Sequence, residues 1–172
     1  MTRCSDVRCS NPSTASCNRG SASGMASPWP FVQSGNNILN GGTGTDTLIG
    51  GGGNDSLIGG QGKDGLTGST GVDTFIYSST AESGVGSAFR DVITDFQGST
   101  GETIDLSAID AFTNSTGNQA FIYIGSNAFS GLKGEVRFIG GRLQVNTGTD
   151  KVADMEIALT GLTSFESSFL IL

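Results

Sequence analysis

The sequence contains no histidine among its 172 residues, and this absence removes several kinds of chemistry at once. A zinc protease site of the H-E-x-x-H type needs two histidines, and serine or cysteine nucleophiles that rely on a histidine base need one. Carboxylate pairs can act on sugars, but the sequence presents no assembled set of acid, base and nucleophile. The sequence therefore argues against catalysis by this chain.

Cysteine is also scarce, and the three cysteines, Cys4, Cys9 and Cys17, all lie near the N-terminus. Three cysteines without histidine make a poor zinc site, and an odd number leaves one unpaired. Residues 1–30 show no periodicity and are rich in Ser, Asn, Gly and Pro. We interpret this segment as a disordered or foreign leader and assign it no role.

Long hydrophobic runs are missing too, so no segment reaches the length of a membrane span. The N-terminus, MTRCSDVRCS, has charge but no following apolar core, which does not fit a secretory signal peptide. Basic residues are few: 16 acidic groups against 9 basic ones give a net charge of −7. Such a chain argues against nucleic acid or an anionic membrane as a partner and fits a binder of divalent metals.

Glycine is abundant, with 28 residues, and much of it recurs in four consecutive nine-residue units over 41–76. The units are GGTGTDTLI (41–49), GGGGNDSLI (50–58), GGQGKDGLT (59–67) and GSTGVDTFI (68–76). Each unit has an aspartate at its sixth position and an apolar residue at its eighth. The preceding VQSGNNILN (32–40) keeps this register with Gly35, Asn37 and Leu39, and we interpret it as a degenerate first repeat.

Each unit combines a tight turn with a very short strand. The glycines permit positive φ, the aspartate supplies an anionic oxygen, and three residues follow in extended conformation. Stacked about 4.8 Å apart, such strands can line a thin core. The predicted interior positions are Leu48, Leu57, Leu66 and Phe75. The predicted outward positions are Thr47, Ile49, Ser56, Ile58, Gly65, Thr67, Thr74 and Ile76.

The repeated aspartates point to calcium. Stacking brings Asp46, Asp55, Asp64 and Asp73 near one another, which is repulsive without a cation. Calcium takes six to eight oxygen ligands, including carboxylates and backbone carbonyls, and its binding free energy becomes folding free energy. A flexible glycine linker has no reason to keep register over four units. A phosphate-binding loop would need the Lys-Ser/Thr of a P-loop and a following helix, which this sequence lacks.

The second half of the chain reads as short strands. After the turn-rich segment 78–90, DVITDF (91–96) predicts a strand, and Ser107 with Asp110 predicts the start of a brief helix. Alternating patterns then predict further strands around Phe121, 136–138, 143–145 and 155–159, and Gly140-Gly141 predicts a tight hairpin. The loop NTGTDKVAD (146–154) is interpreted as a hairpin loop and not as a metal site. The chain ends in the apolar residues Phe169–Leu172.

Residues 32–172 resemble the C-terminal calcium-binding domain of serralysin-type metalloproteases and related type I secreted proteins. The matching stretches are the four nonapeptides, DTFIYSS (73–79), DVITDF (91–96), ETIDLSAIDA (102–111), NAFSGLKGEVRF (127–138), VADMEIALTG (152–161) and the apolar terminus. The resemblance implies an all-β fold: a right-handed parallel β-roll of calcium-binding repeats over 31–77, followed by an antiparallel, β-sandwich-like cap over 78–172.

The resemblance also implies a set of metal ligands. Each calcium would lie between turns eighteen residues apart, which pairs Asn37 with Asp55, Asp46 with Asp64, and Asp55 with Asp73. Glu82 and Asp91 would close the last site. Ser69 replaces the second glycine of the last repeat, which is tolerable with a negative φ. Turn carbonyls would complete the shells, and the predicted glycines are Gly42, Gly44, Gly51, Gly53, Gly60, Gly62 and Gly71.

By the same resemblance the chain is a secreted, non-catalytic module that binds several calcium ions. Its partners would be calcium, the type I secretion machinery, which would read the C-terminal residues Phe169–Leu172, and a catalytic domain in cis. It would unfold in low calcium, pass the exporter without a cleaved signal peptide, and fold outside the cell. The alternative is a free-standing extracellular protein that binds polysaccharide through the roll, although the outward positions offer no cationic stripe for an anionic glycan.

Overall fold

The structure is a computed structural model that describes residues 15–18, 34–112 and 116–172. These ranges form β-strands and three short 3₁₀ turns and contain no α-helix, which confirms the predicted all-β class. The 3₁₀ turns are Thr80–Glu82, Gly98–Thr100 and Ser167–Phe169. The strands are β1 (Ala15–Asn18), β2 (Asn37–Gly44), β3 (Thr47–Gly52), β4 (Ser56–Gly62), β5 (Gly65–Thr70), β6 (Thr74–Ile76), β7 (Asp91–Ile93), β8 (Thr103–Asp105), β9 (Ile122–Tyr123), β10 (Glu135–Ile139), β11 (Arg142–Asn146), β12 (Met155–Leu159) and β13 (Leu170–Ile171).

Successive repeats contribute strands to two sheets in alternation. β2 pairs in parallel with β4 and β4 with β6, whereas β3 pairs in parallel with β5. The register places Leu39 opposite Leu57, Leu57 opposite Phe75, and Leu48 opposite Leu66. Because side chains alternate along a strand, this register carries the apolar residue of every repeat to the same face. One coil therefore takes two nine-residue units.

The predicted interior residues form the core of the repeats. Leu57, Leu66 and Phe75 are 0% exposed and Leu48 is 8% exposed, so this prediction is confirmed. Full burial of such a side chain contributes about 1.5–3 kcal/mol relative to an exposed one. The predicted outward positions are half-buried, apart from the exposed Thr47.

The C-terminal half continues the same two sheets. β7 pairs in parallel with β5 and with β12, and β8 pairs in parallel with β6 and with β13. β10 and β11 form the antiparallel hairpin predicted at Gly140-Gly141, and β12 pairs antiparallel with β11. The antiparallel strands thus belong to the seven-stranded sheet that the repeats begin. β7 and β8 cover the hydrogen-bonding edges that the last repeats would otherwise leave open.

An aromatic cluster anchors the C-terminal residues in the core. The ring of Phe165 lies 6.0 Å from that of Phe96, 5.4 Å from Phe138 and 5.3 Å from Phe169, centroid to centroid. Aromatic pairs at these separations contribute stabilisation beyond that from the burial of the rings. Leu170, at 9% exposed, belongs to the same core.

The brief helix predicted from Ser107 does not form. Asp105 Oδ1 instead accepts a hydrogen bond from Ser107 N at 2.9 Å, and Asp110 Oδ1 accepts one from Phe112 N at 3.0 Å. These local side-chain bonds satisfy backbone donors in a turn and so compete with helix formation. The prediction of a helix start at Ser107 was therefore wrong.

At the N-terminal end, β1 pairs in parallel with β2, with Ala15 opposite Asn37. Ser34 also forms an isolated parallel bridge with Gly52. The rest of the predicted leader, including Cys4 and Cys9, lies outside the described residues.

Candidate metal centre

The turns of the repeats adopt a backbone conformation that glycine takes without strain. Seven of the eight second and fourth positions of the units have φ between +92° and +137°, in the left-handed half of the map. These positions are the seven predicted glycines, Gly42, Gly44, Gly51, Gly53, Gly60, Gly62 and Gly71. The sequence pattern of the turns is therefore a direct consequence of their backbone geometry.

Where two turns stack on the same edge, the carbonyl oxygen of one turn lies directly against a glycine of the next. A Cβ built on Gly60 would overlap the carbonyl oxygen of Gly42, and a Cβ built on Gly62 would overlap that of Gly44. Each turn therefore presents backbone oxygens directly against the turn eighteen residues further along. Backbone carbonyls in such turns are among the ligands that calcium takes.

The aspartates form two columns joined by hydrogen bonds between successive coils. In each bond one carboxylate oxygen, Oδ1, accepts from the backbone N–H of the residue at the same position of the preceding coil. The distances are 2.8 Å from Asn37 N to Asp55, 2.8 Å from Asp55 N to Asp73, 2.8 Å from Asp46 N to Asp64, and 2.7 Å from Asp64 N to Asp91. The structure thus brings the members of each predicted pair together.

The other carboxylate oxygen, Oδ2, is shielded from solvent and has no hydrogen-bond partner in five aspartates: Asp46, Asp55, Asp64, Asp73 and Asp91. The first glycine of a repeat makes room for this oxygen. A Cβ built on Gly59 would lie 2.6 Å from Asp64 Oδ2. A buried charged oxygen without a partner is costly, so an unpartnered set in register calls for a cation.

Burial disfavours the charged form of these carboxylates. It raises the pKa of Asp55, Asp64 and Asp73 above the ordinary value, and neighbouring aspartates raise that of Asp64 and Asp73 further. The pKa of Asp91 rises to about 7, first because it is buried and then because of the charges of Asp64 and Glu82. Without a counter-ion these columns therefore hold protons more tightly than free carboxyls do.

The donor set fits a hard divalent cation. The columns offer carboxylate and carbonyl oxygens, whereas zinc and the softer metals favour histidine and cysteine. Within the described ranges no three acidic or cysteine side chains converge on one point. Any cation between the coils would therefore take its carboxylates in pairs and the rest of its ligands from the backbone. That coordination suits calcium, which accepts carbonyl oxygens readily.

The two acids predicted to close the last site lie at the same end of one column. Asp91 follows Asp64 in register, because β7 pairs with β5. Glu82 Oε2 accepts a hydrogen bond from Ser78 N at 3.0 Å, and burial raises its pKa. Tyr77, fully buried beside them, has its pKa raised by burial and by the charge of Asp91.

Ser69 does not meet the condition of a negative φ, since its φ is +77°. Asp95, which sequence reasoning missed, accounts for the tolerance of this strained conformation. Its Oδ1 accepts from Gly68 N at 3.0 Å and its Oδ2 from Ser69 N at 2.8 Å. Asp95 therefore caps the donors of the last repeat at the point where β7 ends and no further turn stacks on them.

Glu102 is the second acid that sequence reasoning missed. The register of β6 and β8 places Thr103 opposite Thr74, so Glu102 follows Asp73 in its column. Glu102 is 2% exposed and its Oε2 accepts from Gln97 N at 2.7 Å. Burial and the charges of Asp73 and Asp95 raise its pKa. No fixed nine-residue spacing signals this position, because a longer segment separates it from the repeats.

The loop 146–154 forms a hairpin connection between β11 and β12. Asp154 Oδ2 accepts from Thr147 N at 2.7 Å and from Thr147 Oγ1 at 2.8 Å. Lys151 occupies a positive φ of 64°. The acids of this loop are thus used in local turns.

A known family covers the repeats and the C-terminal half of the chain. No curated protein matches the chain. Among the described residues no helix has the length and apolar character needed to cross a membrane. The family described as peptidase M10 serralysin C terminal matches residues 33–171, which include every residue of both aspartate columns. The chain belongs to this serralysin C-terminal family.

Proposed function

We propose that this chain is an extracellular calcium-binding module that folds when calcium fills the sites between its coils. The observation that carries the proposal is the pair of aspartate columns. In Asp55, Asp64, Asp73 and Asp91, Oδ1 accepts from the backbone of the preceding coil, while Oδ2 is buried and has no partner among the described residues. A cation between coils removes the cost of these oxygens, and the site exists only in the folded chain.

Calcium would supply charge neutralisation and oxygen coordination to the turns. Asp55 and Asp64 are the central members of their columns, each with an acid or Asn37 on either side, and would each serve two adjacent ions. The carbonyls of the glycine turns complete the ligand sets. Glu82 and Asp91 close one column, and Glu102 extends the other beyond Asp73. The coils then correspond to a right-handed parallel β-roll with two nonapeptides per turn.

The module is proposed to leave the cell through a type I secretion system. The cytosol is poor in calcium, so the columns would repel and the chain would stay unfolded for transport. Millimolar calcium outside would suffice for sites of weak affinity. The C-terminal residues Phe169–Leu172 would serve as the uncleaved export signal. After export they would take the place that they have in the structure, beside β8.

The module is proposed to be non-catalytic and to accompany a catalytic domain in cis, as the name of its family suggests. The chain has no histidine, so it cannot assemble the zinc site of a metalloprotease. The buried acids of the described residues are accounted for by the columns, the turn caps and one ion-pair network. Catalysis would then come from another domain.

Calorimetric titration of the full chain with calcium tests the proposal, with magnesium as the control ion. Asp55→Asn keeps the shape of a member that serves two sites, and Asp46→Asn is the matched change at the end of its column. We expect several bound ions and a calcium midpoint raised at least about tenfold by Asp55→Asn, a loss typical of groups that support a metal ligand. Asp46→Asn should have a smaller effect.

Equal effects of the two substitutions would contradict the pairing of coils eighteen residues apart. No binding of calcium by the unmodified chain, or equal binding of magnesium, would overturn the proposed function itself.

A further inference from the structure

The exposed face of the seven-stranded sheet gathers positive charge in an otherwise acidic molecule. Residues 34–172 contain six Lys or Arg against fifteen Asp or Glu. Three of the six, Arg90, Arg137 and Arg142, lie on this face, opposite the core-facing Leu143 and Ile157. The predicted outward positions of the repeats have no such charge, so a cationic surface exists but lies on the C-terminal strands.

An open cavity of about 690 Å³ lies between two of these arginines. Arg90 and Arg142 line it together with Thr160, Thr163, Leu162 and the hairpin glycines. Gly140 has a φ of +58°, and a Cβ built on it would lie 3.6 Å from Arg142 Nη2. The glycine turn thus leaves the guanidinium of Arg142 uncrowded on that side.

The acid that contacts both arginines, Glu156, does not neutralise the two of them. Glu156 Oε2 lies 3.0 Å from Arg90 Nη1, whereas Glu156 Oε1 lies 3.8 Å from Arg142 Nη1 and accepts from Gln144 Nε2 at 2.5 Å. Despite burial, which raises it, the pKa of Glu156 is lowered by bonds from Gln144, Gly86 and Arg90 and by the charge of Arg142. One carboxylate therefore faces two guanidinium groups, which leaves a local charge of +1.

Arg142 is the arginine with unused donors. Its Nε is shielded from solvent, but its side chain is 40% exposed, so Nη1 and Nη2 are the donors that a ligand in the cavity can reach. A guanidinium has five N–H donors in a rigid fork, a geometry that matches a carboxylate in a bidentate arrangement. Arg137, by contrast, donates from Nε to Gln144 at 2.8 Å and lies 4.3 Å above the ring of Phe129.

We propose that the cavity between Arg90 and Arg142 is a binding site for a carboxylate, held by the free donors of Arg142. The hydroxyls of Thr160 and Thr163 and the apolar side chain of Leu162 would contact the rest of the ligand. A hexuronate combines these features: a planar carboxylate, hydroxyls and an apolar ring face. The carboxylate could belong to a free sugar acid or to one unit of an acidic glycan chain.

The topology disfavours a peptide that adds a strand at this place. β7, β12 and β11 are each paired on both sides, in the order β5-β7-β12-β11-β10, so no strand edge borders the cavity. Recognition by main-chain pairing needs such an edge. Side-chain and hydroxyl contacts with a compact anion are what the cavity offers instead.

Nitrogen-15 NMR of the full chain in saturating calcium tests the site, with the Nε–H signal of Arg142 as the readout. The probes are glucuronate, a tetramer of hexuronate, glucose and inorganic sulfate. We expect saturable shifts with the hexuronates and none with glucose. Binding of the monomer supports a free acid as ligand, and binding of the tetramer alone supports a glycan chain. Absence of binding by both would overturn the proposal, as would sulfate binding as tightly as glucuronate.

Arg142→Gln should lower the association constant at least about tenfold, as the loss of a charge-assisted bond pair predicts, and is measured on the ligand's own signals. The matched control Arg137→Gln removes the same charge from the same face and should leave the constant within about twofold. Arg142→Lys keeps the charge but loses the fork. Full affinity in Arg142→Lys, or equal losses in the two glutamine variants, would contradict recognition by the guanidinium. Calcium-induced folding of every variant is checked by circular dichroism, so that a failed site is distinguished from a failed fold.

Discussion

Single residues explain why the aspartates and glycines of the repeats occur together. Asp64 places Oδ1 on the backbone of the preceding coil and Oδ2 against Gly59, where a Cβ would lie 2.6 Å away. The aspartate therefore needs glycine five residues earlier. This dependence links the metal-binding residue to the shape of its own turn.

The buried carboxylates predict how stability without calcium depends on pH. The folded pKa of Asp91 is about 7, against an ordinary value of 3.8, because of burial and the charges of Asp64 and Glu82. The corresponding stability is fully present below about pH 4 and is lost as the pH rises through about 7, on the order of 4 kcal/mol for this group. We expect the calcium-free chain to be more folded at pH 5 than at pH 8.

Circular dichroism in chelator at the two pH values measures the folded fraction, and Asp91→Asn is the control that should reduce the difference between them. A calcium-free chain that becomes more stable between pH 5 and pH 8 would contradict the assignment of buried, unneutralised carboxylates.

At the scale of residues, regular spacing predicts the columns within the repeats but not the acids Asp95 and Glu102 beyond them. The register of Asp46, Asp55, Asp64 and Asp73 follows from regular spacing, since the same short turn recurs each time. Asp95 and Glu102 follow longer segments, and only strand pairing across those segments brings them to the repeats. Long-range pairing of this kind has no local signal in a single sequence.

The turns of the repeats stack closely at their glycines. Two of these glycines allow the cost of steric overlap to be distinguished from the cost of backbone strain. Gly62 has a φ of +137° and a Cβ there would overlap the carbonyl oxygen of Gly44. Gly44 has a φ of +118°, but a Cβ there meets nothing within 4 Å. Both changes to alanine cost about 1–2 kcal/mol for the left-handed backbone, and Gly62→Ala should cost about 1–3 kcal/mol more for overlap.

Melting temperatures of Gly62→Ala and Gly44→Ala in saturating calcium test this expectation, and we expect the Gly62 variant to melt several degrees lower. Equal melting temperatures would mean that the turns do not stack as closely as the structure indicates.

Among the elements, the strands of the second half were predictable from alternation, whereas their partners were not. The hairpin at Gly140-Gly141 is a local feature that its turn residues predict. The parallel pairing of β13 with β8 joins Leu170 to Ile104 across more than sixty residues, a link that alternation cannot specify. The helix start predicted from capping residues was wrong, because residues of this kind, here Asp105 and Asp110, also stabilise turns without a helix.

Over the whole molecule, one sheet connects the repeats to the C-terminal strand. The six-stranded sheet runs β1-β2-β4-β6-β8-β13, so the last strand lies two strands beyond the last repeat. Leu106 N also donates to the carbonyl of Ile171 at 2.9 Å. The proposed export signal would therefore be accessible in the unfolded chain and held in the sheet after calcium has folded it.

Deletion of Phe169–Leu172 is expected to abolish export while calcium binding by the purified chain persists, because the columns lie in other strands. Secretion is measured in a bacterial host with a type I exporter, and calorimetry gives the calcium binding. Normal secretion of the shortened chain would contradict the export assignment, and loss of calcium binding would show that the last strand is needed for the columns to form.

The most direct test of calcium-dependent folding is circular dichroism of the full chain during a calcium titration, with magnesium as the control. A cooperative gain of β signal that calcium produces and magnesium does not is the result predicted by unpartnered carboxylates in register. A β-rich spectrum in chelator that calcium leaves unchanged would contradict the account, because the sheets would then form without a cation between the coils.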